Sequence, residues 1–499
     1  MSLVVFVLVA GIFAGLAIGF RARPRAVTVI GIVGLAATVV AALLIAPGQV
    51  VVVEGGGLVT TAYQRLFLVL GSLVGLGLAV TGMAGGSRRD APAVTLGILA
   101  AGGLTLGLVD PRAAVLVATA GGLFGVLVTL LPSAGRAGAT VGIRETRAVI
   151  VAGALAIAAT AWFGRDLSQL AAQPVVFGLA YLAFAVAVAM RFGAIPFHLW
   201  AARLSDVVPE AALPILTALA PATLAIVALA WTDASVAPLL VDIGPARLIV
   251  LSIAVASIVL AAVAAFVQDD IEHVLGYSIV GDAGVVMLAL ATLDPEAWAP
   301  ARTWILVFVV ARSAFAAWAA GIRAGFFTGR VADLRGWARR SPILAIALVV
   351  VAFAAIGVPG MASFDSRSAL VGMALDTPLA TFVLVGTLAP LAYYARLLVI
   401  GLMSPDRASE PVNAWRPHVT APDLTQLRRW LTGTWDTNRA FTTTAVALLL
   451  AFLALATSSG AFDSPAAAAG LPPSLDAPSE IVAPVSSGDL PLPLESPAP

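Results

Sequence analysis

The stretch AVAMRFGAIPFHLWAARL, residues 187–204, places an arginine, a glycine and a proline inside an otherwise apolar run. Proline has no backbone N–H and its ring clashes with the preceding helical turn, so Pro196 breaks a helix that reaches it. A lone arginine at the centre of a bilayer costs at least about 2.5 kcal/mol, so Arg191 needs a partner or a wet cavity. The stretch therefore predicts a broken membrane helix that borders a polar interior.

The composition requires a membrane around most of the chain. Of its 499 residues, 60% are hydrophobic and 11% are charged, an apolar content above that of soluble domains. Windows of about 18–22 apolar residues, long enough to cross a hydrocarbon core about 30 Å thick, recur with helical rather than strand periodicity. The sequence predicts an all-α polytopic membrane protein of about fourteen transmembrane helices, with approximate centres at residues 10, 37, 75, 101, 122, 155, 186, 222, 257, 283, 311, 350, 388 and 450.

A second interruption matches the first. Span 12 contains IGVPGMASFDSR, residues 356–367, in which Pro359 and Gly360 predict an unwound turn near the middle of the membrane. Spans 7 and 12 are each the fourth helix of a five-helix block, spans 4–8 and spans 9–13. A block with an odd number of helices reverses its orientation when it is repeated, and paired broken helices are typical of inverted-repeat transporters. Kinks that only aid helix packing are the alternative for either break alone.

The distribution of arginine predicts the orientation. Twenty of the 28 basic residues fall in predicted loops that follow odd-numbered spans, and five fall in loops that follow even-numbered spans. Because cytoplasmic loops are enriched in basic residues, both termini are expected on the outer side of the cell inner (cytoplasmic) membrane. The remaining three, Arg191, Arg312 and Arg367, lie within or at the edges of predicted spans.

Three motifs follow one another along the chain: RFGAIPFHLW at 191–200, QDDIEHVLGYSIVGDAG at 268–284 and DLRGWARRSPILAIALVVVAFAAIGVPGMASF at 333–364. Together they resemble the antiporter-like proton-translocating membrane subunits of the NADH:quinone oxidoreductase (complex I) family, which is shared with multi-subunit cation/proton antiporters. The chain is most similar to the smaller, N-type subunit. The resemblance covers about residues 110–400 and implies fourteen helices with two inverted five-helix repeats.

The resulting domain prediction has five parts. An antiporter-like core follows three N-terminal helices and the start of the fourth, and a cytoplasmic loop precedes helix 14. The last part is rich in proline, alanine and serine, carries five acidic residues and no basic one, and is expected to be a disordered outward tail. The boundaries are 1–109, 110–400, 401–440, 441–462 and 463–499.

The sequence also departs from the family pattern. Similar members carry a glutamate on span 5, a lysine on span 7, a lysine or histidine on span 8 and a lysine or glutamate on span 12. Here predicted span 5, residues 112–132, has no acid, span 8 has no ionisable group between Glu210 and Asp233, and Arg191 and Arg367 occupy the positions on spans 7 and 12. Arginine stays protonated, so it cannot relay protons as lysine does. All 28 basic residues are arginine, so genome composition can explain arginine in place of lysine. It does not explain the missing glutamate of span 5 or the missing base of span 8, and these two absences predict a degraded proton path.

Asp282 on span 10 is the best remaining candidate for a titratable group, because a carboxylic acid in apolar surroundings can load and release protons. An ion pair with Arg312 or Arg367 is an equal alternative. His198 either passes protons at the cytoplasmic mouth or caps the broken helix. Arg191 is interpreted as part of a structural ion pair or as a fixed charge that tunes its surroundings. These five residues are the candidate proton path or buried charge axis.

Two further groups are assigned local roles, and several kinds of site are not expected. His273, beside Asp270 and Glu272, is expected at a solvated loop end, and Asp365 is expected to pair with Arg367. The chain has no cysteine, and no histidine or carboxylate cluster has metal-ligand spacing, so no metal or iron–sulfur site is predicted. No Gly-rich phosphate loop or basic–aromatic pattern indicates nucleic-acid binding.

The resemblance implies a membrane-arm subunit of a complex-I-like NADH:quinone oxidoreductase in a respiratory chain, which takes part in or supports redox-driven proton translocation. It implies contacts with other membrane subunits and with the lipid bilayer. It also implies that the chain itself holds no cofactor, since nicotinamide, flavin and iron–sulfur groups belong to partner chains. Two alternatives stay open: a subunit of a multi-subunit Na⁺/H⁺ antiporter, and a non-conducting structural membrane subunit.

Overall fold

The computed structural model describes residues 2–53, 56–84, 91–130, 136–162, 174–235, 243–375, 377–404 and 435–457. These residues form helices almost throughout. In chain order the helices are α1 Leu3–Gly19, α2 Pro24–Leu43, α3 Ala62–Ala84, α4 Ala91–Gly107, α5 Pro111–Leu130, α6 Arg136–Trp162, α7 Pro174–Phe192, α8 Leu199–Leu204, α9 Ala220–Ser235, α10 Gly244–Val267, α11 Ile271–Thr292, α12 Trp298–Phe326, α13 Trp337–Arg340, α14 Pro342–Ile356, α15 Ala362–Ala374, α16 Thr377–Leu388, α17 Pro390–Leu402 and α18 Trp435–Thr457.

The helices confirm the polytopic membrane architecture. In the described part of the chain, nine helical segments are long and apolar enough to cross a membrane, and four shorter apolar helices accompany them. Each of the fourteen predicted spans coincides with a helix or with a pair of shorter helices. Span 7 consists of α7 and α8, span 12 of α14 and α15, and span 13 of α16 and α17. Both predicted breaks are therefore present, at Pro196 and at Pro359–Gly360.

A small hairpin lies between α2 and α3. Strand β1, Val50–Val53, pairs antiparallel with β2, Gly56–Val59, so that Val50 lies opposite Val59. The valine side chains suit a pleated, half-buried surface. Val109 donates its backbone N–H to the carbonyl of Gly57 at 3.0 Å, which fastens the hairpin to the turn after α4.

Two spans form the centre of the molecule. The most apolar window of α12 is entirely buried, and that of the segment Glu210–Thr232, which holds α9, is 94% buried. A helix that is apolar all round lies in a protein core or in lipid, and the burial of these two spans places them among other helices. Alanines such as Ala311, Ala314 and Ala317 along α12 let neighbouring backbones approach closely. Large side chains that face lipid lie on peripheral helices such as α2, α10 and α17.

The boundaries differ from the prediction at two helices. Arg136, Arg144 and Arg147, assigned to the loop after span 5, lie within α6, which begins at Arg136. The arginines made this segment look like a loop, but Arg144 and Arg147 are exposed on one side of the helix. Helix 14 begins at Trp435 rather than at residue 441. The predicted tail, 463–499, and most of the predicted loop, 401–440, lie outside the described residues.

Candidate functional site

The break in span 7 begins directly after α7. Gly193 has a φ of +66°, a left-handed conformation that glycine adopts without strain, and the Ile195–Pro196 peptide bond is cis. The freed backbone is satisfied by a neighbouring helix, since the Ile195 N–H donates to the Ser257 hydroxyl of α10 at 2.9 Å. The unwound backbone therefore has a hydrogen-bonding partner within the protein, as irregular backbone inside a membrane requires.

Arg191 lies in the last turn of α7 and is 4% exposed. The carbonyls at a helix C-terminus carry partial negative charge, which favours a cation there. Within the described part of the chain, its Nη1 atom has no hydrogen-bond partner. Both interpretations of Arg191, as part of a structural ion pair and as a fixed charge, stay predictions.

The carboxylate that acts on Arg191 comes from a residue that the sequence analysis missed. Glu145 lies on α6, is 1% exposed, and its Oε2 atom has no hydrogen-bond partner among the described residues. The charges of Glu145 and Arg191 act on each other. A signal for Glu145 was present: Ala148, Val149 and Ala152 follow it at helical spacing and are all buried.

The break in span 12 lies between α14 and α15. Gly357 and Gly360 have φ values of +68° and +91°, and Pro359 stands between them. The Gly360 N–H donates to Asp365 Oδ1 at 3.0 Å, so Asp365 binds the turn that leads into α15. The predicted salt bridge between Asp365 and Arg367 is wrong, because the Asp365 carboxylate satisfies the unwound backbone instead.

Arg367 binds backbone carbonyls around this break. Its guanidinium donates to the carbonyls of Ser363 and Thr387, each at 2.9 Å, and to that of Ile356, the last residue of α14. The guanidinium carbon also lies 5.3 Å from the centre of the Trp304 ring. Five fixed donors in a planar fork suit this task, which a lysine could not perform in the same way. Arg367 thus joins the two halves of span 12 to α16.

Asp282 forms a closed ion pair with Arg312. Arg312 Nη2 donates to Asp282 Oδ1 at 2.9 Å, and Arg312 Nε donates to Asp282 Oδ2. Arg312 Nη1 donates to the hydroxyls of Tyr393 and Tyr394 at 3.1 and 2.9 Å. The arrangement is bidentate and buried, which is the strongest form of a carboxylate–guanidinium contact. Of the two alternatives for Asp282, the geometry matches the ion pair with Arg312.

A cavity of about 20 Å³ adjoins this pair. That volume is sufficient for about one water molecule. Its polar lining suits a water, which needs several hydrogen-bonding partners. The polar residues that line it are Tyr277, Ser278, Asp282, Arg367, Thr387 and Tyr393.

His198 and His273 each lie beside a residue of another segment. His198 is the residue before α8, but its side chain makes no capping hydrogen bond, and its ring lies 6.2 Å from that of Tyr277. The capping role is therefore not what the geometry shows. His273 lies in the first turn of α11 with its Nε2 atom 3.1 Å from Asp206 Oδ1. It is thus part of a tertiary contact rather than a solvated loop end.

A network of ion pairs lies near His273, at the ends of several spans. Arg323, near the end of α12, has its Nε atom 2.6 Å from Glu210 Oε1 and also pairs with Glu272 of α11. Arg396 of α17 pairs with Asp269. These contacts fasten the starts of spans 8 and 10 to the ends of spans 11 and 13. Within the described ranges no group of three or more histidine or acidic residues is arranged to hold a metal ion.

Comparisons with known proteins match this arrangement. The family model described as NADH:quinone oxidoreductase/Mrp antiporter, TM, matches residues 152–391. NADH-quinone oxidoreductase subunit N of Halorhodospira halophila is 31% identical over 235 residues, which cover 45% of this chain and 46% of the relative. Subunit N of Parvibaculum lavamentivorans is 29% identical over 242 residues, or 48% of each chain. This chain thus spans about half the length of the curated relatives that it matches.

Solved structures share the fold over almost the whole chain. A chain of the Mrp complex from Dietzia sp. DQ12-45-1b superposes with a TM-score of 0.74 at 18% identity, covering 95% of this chain and 99% of its own length. A chain of respiratory complex I from Thermus thermophilus with bound Aureothin has a TM-score of 0.67 at 18% identity, covering 92% and 98%. Over residues 152–391 the chain is similar to the NADH:quinone oxidoreductase/Mrp antiporter transmembrane family, and its fold, with two broken helices, is shared with the solved Mrp and complex I chains.

Proposed function

We propose that the chain is a membrane-arm subunit of a complex-I-like NADH:quinone oxidoreductase and takes part in redox-driven proton translocation. The observation that carries this proposal is the pairing of each helix break with a buried arginine and a carboxylate. Arg191 and Glu145 lie beside the break in span 7, and Arg367, with the Asp282–Arg312 pair, beside the break in span 12. Buried ionisable groups in a membrane are costly, and they are retained where they serve a transport path.

The side chains divide the work as follows. The carboxylates are the groups that can accept and release a proton, because arginine remains protonated. Arg191 supplies a fixed positive charge near Glu145. Arg367 holds the unwound backbone of span 12. The ring of His198 lies beside that of Tyr277, and we place these two residues at the mouth of the path. These residues are proposed as the charged axis, and the electron-transfer chemistry is assigned to partner chains.

The placement in the membrane and in the assembly belongs to the same proposal. The excess of arginine in the odd-numbered loops supports a location of both termini on the outer side of the inner membrane. Residues 110–400 are proposed as the antiporter-like core, and the segment between α17 and α18 as the cytoplasmic loop. The apolar side chains exposed on the peripheral helices support contacts with lipid and with neighbouring membrane subunits.

A second candidate is a subunit of a multi-subunit Na⁺/H⁺ antiporter, and the fold shared with the Mrp chain favours its inclusion. The two candidates differ in their driving force. The first moves protons when electrons reach quinone, whereas the second exchanges protons for sodium along an imposed gradient. A purely structural subunit, the third candidate, moves no ion under either condition.

The test uses the assembled complex in sealed lipid vesicles. Proton uptake per electron transferred from NADH to quinone is measured for the complex with and without this chain. We expect the complex that lacks the chain to move fewer protons per electron while its electron transfer continues. Equal proton stoichiometry would contradict the proposal, and proton movement that requires a sodium gradient would select the antiporter.

A further inference from the structure

Glu145 is a buried acid that lies outside the site residues predicted from the sequence. It faces inwards on α6 together with Ala148, Val149 and Ala152, whereas Arg144 faces outwards. A carboxylate in such apolar surroundings needs a charge partner or water, because an isolated buried charge is strongly destabilising. Any such partner of the Glu145 carboxylate must come from the neighbouring helices α5, α7 and α8 or from water between them.

Helix α7 supplies the charge that acts on Glu145. Arg191 is near enough for its positive charge to act on the Glu145 carboxylate. Helix α5 carries Arg112 and α8 carries Arg203, and both side chains are exposed. One polar atom of each group, Glu145 Oε2 and Arg191 Nη1, nevertheless has no hydrogen-bond partner in the described part of the chain.

Helix α5 carries a glycine, Gly122, at the point where the Arg191 guanidinium approaches it. A Cβ atom at Gly122 would lie 2.8 Å from Arg191 Nη2, 3.1 Å from Arg191 Cζ and 3.1 Å from Val149 Cγ1. Gly122 therefore has no side chain where the guanidinium lies against α5. Val149 is one turn after Glu145 on α6, so the three helices converge on one point. A glycine at this position makes room for a charged group rather than for a backbone turn.

Two oppositely charged buried groups with free polar atoms favour water between them. Buried polar atoms are almost always hydrogen-bonded, and a polar site between protein groups is where internal water binds. Water that contacts a carboxylate can also deliver a proton to it and remove the proton again. Asp282 differs on this point, because Arg312 engages both of its carboxylate oxygens.

We propose that Glu145 is the proton-accepting residue of the N-terminal half, exchanging its proton with water and stabilised by the fixed charge of Arg191, whose guanidinium packs against Gly122. In this step a hydrated proton binds the carboxylate, water is released as the acid forms, and the reverse step returns the proton to water. The inference rests on the proposed function for the use of that proton. Gly122 is a positioning residue in this account.

The first experiment detects protonation of Glu145 without any transport. Infrared difference spectra of the assembled complex in lipid vesicles are recorded during a pH titration, and the carboxylic-acid C=O band is compared between parent and variants. We expect Glu145→Gln to remove one titrating band and Glu145→Asp to retain a band at a shifted frequency. The control replaces an exposed acid: Glu296→Gln should leave the band of the buried acid unchanged. An unchanged spectrum in Glu145→Gln overturns the proposal.

The position of Gly122 has its own readout. Gly122→Ala retains the Glu145 band but shifts its titration midpoint, because the added methyl group displaces Arg191 Nη2. The matched control is Gly11→Ala in α1, where an added Cβ meets nothing within 4 Å. A merely structural glycine would lower stability without moving the midpoint, and that result would remove Gly122 from the account.

The second experiment measures proton transport by the same complexes. Glu145→Gln lowers the rate at least about tenfold relative to Glu296→Gln, since a positioned proton-transfer group contributes at least about a hundredfold in many reactions. Loss of the infrared band without loss of transport overturns the role in conduction. A parent complex that moves no protons but shows the Glu145 band contradicts the proposed function and leaves Glu145 supported as the hydrated acid.

Discussion

The two halves of the molecule hold their buried charges in opposite ways. In the C-terminal half Asp282 and Arg312 form a bidentate pair, and two tyrosine hydroxyls take the remaining donors of Arg312 Nη1. In the N-terminal half Glu145 and Arg191 act on each other, and each has a free polar atom among the described residues. Under the proposal above, the difference separates an ion pair that stabilises the fold from a buried carboxylate with an oxygen left to accept a proton.

The largest expected effect concerns the closed pair. Asp282→Ala leaves Arg312 buried without its counter-charge, so we expect the free energy of unfolding to fall by about 3–5 kcal/mol. Glu145→Ala removes a carboxylate with one oxygen left unbonded among the described residues, and its loss should be clearly smaller. Thermal unfolding of the purified chain in lipid discs measures both variants. Equal losses would remove the distinction between the two halves.

The next effect concerns the glycines beside the two arginines. Gly357 has a φ of +68°, and an added Cβ would collide with the Ser363 hydroxyl and approach the Phe364 amide nitrogen at 2.9 Å. Gly357→Ala should therefore lower the free energy of unfolding by about 1–3 kcal/mol. Gly122→Ala meets the flexible end of Arg191 at 2.8 Å and Val149 Cγ1 at 3.1 Å but requires no left-handed backbone, so it should lower that free energy less.

The same unfolding assay serves for this pair, with Gly11→Ala as the variant that adds a methyl group in open space. A Gly122→Ala loss as large as that of Gly357→Ala would mean that Arg191 is held rigidly. The open character of the N-terminal site would then be wrong.

The sequence predicts the breaks well because their cause is local. Gly193 with Pro196, and Gly357 with Pro359, interrupt helices through their own backbone chemistry, and both interruptions are present. The position of Arg191 next to a break follows from the same pattern. Local rules of this kind need no knowledge of which helices become neighbours.

Partners across helices were harder to predict. Arg367 binds carbonyls of Ile356 and Thr387, which only the folded arrangement brings together. Glu145 was missed because Arg144 and Arg147 flank it and made the segment look like a loop. The helical spacing from Glu145 to the buried Val149 would have indicated an inward-facing acid, and the missing acid of span 5 then has a counterpart on the next helix.

The smallest effect concerns the tyrosine hydroxyls. Tyr394→Phe and Tyr393→Phe each remove one acceptor from Arg312 Nη1, and we expect each to lower the free energy of unfolding by about 1 kcal/mol. The double variant leaves that nitrogen without an acceptor and should lose more than the sum. Strict additivity in thermal unfolding would show that the two hydroxyls do not share one donor, and the closed pair would be less saturated than described.

Two double-mutant cycles test the contrast between the halves most directly. In one, Asp282 and Arg312 are replaced singly and together; in the other, Glu145 and Arg191 are, and the free energy of unfolding of each variant is measured. The account predicts a coupling free energy of at least about 2 kcal/mol for the first pair and below about 1 kcal/mol for the second. A coupling for Glu145 and Arg191 that equals or exceeds that of Asp282 and Arg312 would contradict it.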